Sequence, residues 1–195
     1  MWLLGVLKYK VEGFDKLEEP GQLVIANHPT LLDIVFLIAM IPNADCIVKS
    51  RLLSNPFMVG AIRFAGYIAN DDPEAVIELS AQSLARGNNL IIFPEGTRSK
   101  RNEPLRLLRG AANIAVRTQH NLRPVIIDSD PLTLGKGEKW YWVPGKRVQY
   151  FMSVRDELHI RPYLLLERWK ASRKLTEYLE SYFSMESRWN ERAGT

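Results

Sequence analysis

Short, β-branched apolar runs alternate with helix-length segments along most of this chain, and that alternation limits the fold more than any other feature. Residues 23–26, 46–49, 66–69, 90–93 and 124–127 read as strands. Between them, 31–41, 55–64, 73–86 and 107–118 read as helices. A strand that rejoins its neighbour through a helix runs parallel to it, so the pattern predicts an α/β fold with a mixed, largely parallel sheet flanked by helices. Boundary residues agree. Pro42-Asn43 closes the first helix and Asn55-Pro56 opens the second. Asp72 is a good N-cap with Pro73 at the first helical position, and Gly87-Asn88 ends that helix. Strands are also expected at 8–11, joined to 23–26 around a Gly-containing turn, and at 148–154. From 162 to about 185 a long C-terminal amphipathic helix is expected, with Leu165, Trp169, Leu175, Leu179 and Tyr182 at near-helical spacing. Packing against the sheet is the expected role of that helix, with membrane contact as the alternative. Neither a linker nor a repeat divides residues 1–195, which are read as a single domain.

Composition narrows the function classes. The formal charge is +4, compatible with nucleic acid, anionic lipid or an acidic carrier protein as partner. No Lys/Arg run or RNA-binding signature accompanies it, which disfavours nucleic acid. A single cysteine, Cys46, excludes an intramolecular disulfide and is expected in the core, in keeping with a reducing compartment. The three histidines are scattered, and no ligand cluster has metal spacing. His120 and His159 are expected to be solvated.

Two stretches carry chemistry. Asn27-His28-Pro29-Thr30-Leu31-Leu32-Asp33 lies where the strand 23–26 turns into the helix 31–41. Five residues do not stack on one helical face, so His28 and Asp33 meet only if His28 precedes the helix. Pro29 favours this by disfavouring the α region at His28. A carboxylate bonded to one imidazole nitrogen fixes the tautomer and leaves the other nitrogen as a base. With no Ser, Thr or Cys nucleophile assigned locally, the base would act on a substrate hydroxyl. The plainer alternative is that His28 packs or caps locally and Asp33 is a polar residue in a helix, although burying an unpaired carboxylate among apolar residues is costly. The second stretch is Phe93-Pro94-Glu95-Gly96-Thr97-Arg98-Ser99, a polar turn directly after the strand 90–93.

Together the blocks 27–33 and 93–99 resemble the His-x4-Asp and Glu-Gly-Thr motifs of the glycerolipid acyltransferase family, that of lysophosphatidic acid and related lysophospholipid acyltransferases. The likeness extends from about residue 10 to about residue 130. It implies an O-acyltransferase in which His28 is the general base and Asp33 orients it. The acyl group would come from a thioester, acyl-CoA or acyl carrier protein, as co-substrate, with no cofactor and no metal. A lipid hydroxyl would be the acceptor. The resemblance places Glu95, Gly96, Thr97 and Arg98 at the substrate, with Arg98 a candidate fork for phosphate or carboxylate. Arg109 opens a small-residue segment that follows this block in the family, and 124–127 resembles a strand lining the acyl side. A thioester or lipid hydrolase on the same dyad, and a non-catalytic lipid- or carrier-binding module, are the rival classes.

The second family block departs from pattern. Members with a glycerol-phosphate acceptor usually have Gly-x-Ile-x-x-x-Arg, whereas this chain has Gly66-Tyr67-Ile68-Ala69-Asn70-Asp71-Asp72. An aspartate facing a phosphate dianion is repulsive, so a neutral or singly charged acceptor is expected, unless Asp72 is only a helix N-cap facing solvent. No stretch has the length of a transmembrane helix. The family's membrane-associating segment before the histidine block is expected to be reduced or absent, leaving peripheral contact with the cytoplasmic membrane face through Trp2, Leu3 and Leu4.

Overall fold

The computed structural model describes residues 7–48, 67–69, 72–99, 104–138, 142 and 144–193, with side chains of the last helix described to residue 186. The expected segment at 1–6, the helix at 55–64 and Gly66 lie outside these residues. Seven strands form one sheet: β1 (Leu7–Glu12), β2 (Leu23–Ala26), β3 (Ala44–Val48), β4 (Ile68–Ala69), β5 (Asn89–Ile92), β6 (Leu122–Asp130) and β7 (Val148–Val154). Their spatial order is β1-β7-β6-β2-β5-β3-β4. Every neighbouring pair is parallel except β6 and β7, so the predicted mixed, largely parallel α/β sheet is the observed one.

Helices cover both faces. Helix α1 (Leu32–Met40) lies on one face, where Leu37 packs with Val24, Ile91, Val125 and Met152. The opposite face carries α2 (Pro73–Ala85), α3 (Gly110–Thr118) and α5 (Arg168–Ala193), with Leu23, Ile25, Leu90, Ile92, Leu122 and Ile126 beneath them. This division follows from strand geometry, because successive side chains point to opposite faces. The central strands β2 and β5 are buried along their whole length, which is why they read as unbroken apolar runs.

Three expectations change in detail. Strand β1 does not lie beside β2: after the 3-10 turn Phe14–Leu17 the chain crosses under β7 and β6, and β1 is an edge strand paired with β7. Exposed Lys8, Tyr9 and Lys10 suit that position, since charged edges resist further pairing. The helix expected at 107–118 begins only at Gly110; ahead of it the Leu107 N–H donates to Glu180 Oε1 and the Leu108 N–H to Pro94 O. The C-terminal helix is two pieces, α4 (Arg161–Leu164) and α5, separated by a turn in which Leu166 N–H donates to Tyr163 O. The buried stripe of α5 is Ala171, Leu175, Leu179 and Phe183, four residues apart. Trp169 sits two residues before that stripe, about 200° around the helix, and is exposed; Leu165 lies in the turn and is exposed as well.

Candidate active site

Parallel strands β2 and β5 are hydrogen-bonded neighbours, so the turns leaving their carboxyl ends emerge side by side. This is where open α/β sheets place their sites. His28 follows β2 before α1 begins, as its spacing required. Its Nδ1 lies 2.8 Å from Asp33 Oδ2. The histidine keeps partial access to solvent while Asp33 has none, and the imidazole stacks on Phe93 with ring centres 4.2 Å apart.

Asp33 is held by more than the imidazole. Oδ2 also accepts the Thr30 N–H at 2.8 Å, and Oδ1 accepts the Thr30 hydroxyl at 2.6 Å and the Tyr150 hydroxyl at 2.8 Å. Thr30 Oγ1 in turn accepts the Leu32 N–H at 3.1 Å. Thr30 and Asp33 thus make an arrangement like a capping box just ahead of α1, each side chain accepting one backbone N–H at its head. Four donors make a fully buried carboxylate tenable. Asp33 is therefore not merely a polar residue in a helix: from the first turn of α1 it accepts hydrogen bonds from the turn before it and from the imidazole at once.

The second motif locks onto the first. Glu95 Oε1 accepts the His28 N–H at 2.9 Å and the Ser99 hydroxyl at 2.7 Å, and the Ser99 N–H donates to His28 O at 2.7 Å. Burial pushes the Glu95 carboxyl above its ordinary range; the Ser99 and His28 hydrogen bonds oppose that shift in part. Gly96 turns the chain at φ +63°, where a Cβ would come within 2.6 Å of Leu108 Cδ1. Thr97 is exposed on this turn. Arg98 Nη1 donates to Leu134 O at 2.7 Å and Gly135 O at 2.9 Å, and the Leu31 N–H donates to the same Leu134 carbonyl at 3.2 Å. Arg98 therefore pins the loop after β6 against the head of α1.

Other predicted residues stand farther out. Asp72 is exposed and accepts the Glu74 N–H at 3.1 Å as N-cap of α2. Strand β4, which leads into it, is the sheet edge three positions from β2. Arg109 is exposed at the head of α3. His120 Nδ1 lies 2.8 Å from Thr118 O, and His159 is exposed beside Glu157. Among the described residues no group of His, Cys, Asp and Glu could hold a metal ion, and no helix is long and apolar enough to cross a membrane.

Sequence reasoning gave no role to Asn27, Thr30, Ser99 or Tyr150. Asn27 extends the β2–β6 ladder with its side-chain amide, donating to Ile127 O and accepting from Ile127 N, both at 2.7 Å. Thr30-x-x-Asp33 carried a legible capping signal. Tyr150 carried only a hint, as a phenol on the inward face of a strand needs a partner, and its partner is 117 residues away.

The α/β sheet thus carries, at its carboxyl edge, a buried carboxylate bonded to a partly exposed histidine. The acyltransferase family model matches residues 8–128, and the chain belongs to that family. Its similar proteins include a 1-acyl-sn-glycerol-3-phosphate acyltransferase from Helicobacter pylori, 35% identical over 64% of this chain and 54% of the relative. One of the same name from Cocos nucifera is 29% identical over 80% of this chain and 53% of the relative. The chain thus spans about half the length of these curated relatives. The crystal structure of the 1-acyl-sn-glycerophosphate (LPA) acyltransferase PlsC from Thermotoga maritima shares the fold, with a TM-score of 0.68 and 24% identity over 94% of this chain and 74% of that one.

Proposed function

We propose that the protein transfers a fatty-acyl group from an acyl thioester, acyl-CoA or acyl carrier protein, to the free hydroxyl of a 1-acylglycerol-3-phosphate-type lipid. The observation that carries this reading is the dyad itself: His28 Nδ1 on a fully buried Asp33 leaves Nε2 as the ring's remaining nitrogen for chemistry. The hydroxyl proton passes to Nε2 as the oxygen attacks the thioester carbonyl carbon. The tetrahedral adduct collapses by breaking the C–S bond, and the leaving thiolate takes the proton from the imidazolium. Ester and free thiol are the products. Asp33 holds the imidazole in the tautomer this requires and steadies its charge.

The names of the similar proteins support a phosphate-bearing acceptor. The expected repulsion from Asp72 loses its basis, because that carboxylate is engaged as a helix cap and faces solvent. Such an acceptor resides in a bilayer, so the enzyme works at a membrane surface, with Trp2, Leu3 and Leu4 as the apolar contact.

The test is thiol release from acyl-CoA and acyl carrier protein, with and without lysophosphatidic acid. Acceptor-dependent release accompanied by phosphatidic acid supports transfer. Equal release without acceptor would make the protein a hydrolase, and none with any acceptor would leave it a binding module.

A further inference from the structure

Tyr150 lies outside both motif blocks, on β7, which pairs antiparallel with β6. Its ring is buried and stacks on Phe36 of α1 at 4.6 Å between centres, so the side chain has little freedom. Its hydroxyl donates to Asp33 Oδ1, the oxygen that does not face the imidazole. We propose that Tyr150 is a positioning residue for the dyad: it fixes the plane of the Asp33 carboxylate and moderates how strongly Asp33 favours the protonated form of His28.

The physical argument has two parts. The other three donors to Asp33 come from the segment His28 to Thr30, immediately ahead of it, and move with the turn. Among the described residues, Tyr150 alone anchors the carboxylate to a different strand. Secondly, a hydrogen bond donated to one carboxylate oxygen draws negative charge from the group and lowers its basicity. The neighbouring imidazolium then gains less from it. Burial, with the Asp33 charge and hydrogen bond added, pushes the Tyr150 phenol far above its usual range, so it remains a donor throughout the working pH range.

Few other charges compete for this role among the described residues. Glu95 faces His28 from the β5 turn, but it accepts the backbone N–H. Arg98, on the same turn, is engaged with Leu134 and Gly135 carbonyls. Asp128 and Asp130 at the end of β6 are exposed.

The proposal rests on His28 being the base, and its test can be read without turnover. Heteronuclear NMR follows titration of the His28 imidazole, identified by its disappearance in His28→Ala. In Tyr150→Phe, which keeps the ring and its stacking, the titration midpoint should rise by several tenths of a pH unit to about one unit. The acid limb of kcat/KM should move with it. Site-specific 3-fluorotyrosine at position 150, a stronger donor, should move both downward, and it decides the matter if Tyr150→Phe does not fold. Midpoints that stay in place in the folded variants, even with activity lost, would reduce Tyr150 to packing and overturn the proposal. Failure of the acyl-transfer reading shows separately, as wild-type protein that releases no thiol while the Tyr150→Phe midpoint still shifts.

Discussion

At the scale of single residues, Asp33 does two jobs that are usually assigned to different side chains. Its four hydrogen bonds cap α1 and orient His28 together. Substitutions at the two members of the dyad should therefore differ in kind. His28→Ala should lower acyl transfer at least a hundredfold, the usual size of general-base assistance, with its melting temperature little changed. Asp33→Asn should lose comparable activity and also about 1–3 kcal/mol of stability, since an amide NH2 would face donors that a carboxylate accepts. Thiol-release kinetics beside denaturant melts separate the two effects; an Asp33→Asn protein as stable as wild type would contradict the capping role. Glu95 offers a pH test. Burial holds its carboxyl above the ordinary value, so its contribution to stability is full below the ordinary carboxylate range and is lost as pH rises through the raised value. Glu95→Gln keeps an accepting oxygen for His28 N–H and Ser99 without the charge. It should be at least as stable as wild type at neutral pH, with an advantage that shrinks on acidification. Thermal melts across pH read this directly, and an advantage independent of pH would be the wrong result.

At the scale of elements, the site is a junction of turns rather than a property of any one of them. The sequence made the two motif turns legible because each follows a short apolar run and carries residue types seldom found in a core. It did not disclose how they interlock. The bonds from Glu95 to His28 and from Arg98 to Leu134 span 67 and 36 residues, and local periodicity carries no information over such separations. Arg98 read as a substrate fork, yet its Nη1 is engaged with the loop after β6. Arg98→Met should free that loop, so the Leu31 and neighbouring amides should exchange faster with deuterium and transfer should weaken about tenfold or more, through loss of a charge-assisted bond. Unchanged exchange would return Arg98 to a purely substrate-facing role. Asp72 is the N-cap that its Asp-Pro-Glu context offered, beside the reading that set it against the acceptor head group. Asp72→Ala should cost about 1 kcal/mol and leave the preference among phosphorylated and neutral acceptors where it was. A change in that preference would bring back the headgroup contact.

At the scale of the whole molecule, the sheet separates chemistry from support. The dyad, Phe93 and Tyr150 belong with α1 on one face, whereas α2, α3 and α5 build the larger core on the other. Alternation of strands and helices made this layering legible, but not the place of β1, because strand order is decided by pairings that the chain makes after long crossovers. Nor did the spacing of apolar residues reveal the break before α5, where a turn rotates Leu165 off the buried stripe. That stripe predicts how stability and catalysis divide. Leu179 is buried in the middle of α5 with Leu175 and Phe183 as its neighbours along the helix. Leu179→Ala should cost about 2–5 kcal/mol, the usual range for a buried leucine. Because the sheet lies between that cavity and the dyad, kcat per folded molecule should stay within about twofold of wild type, as expected for sites that share no partner. Denaturant titration gives the first quantity and active-fraction-corrected kinetics the second. A fall in kcat that tracks the loss of stability would mean that the two faces are coupled through β2 and β5, and that the sheet transmits packing strain to His28 instead of shielding it.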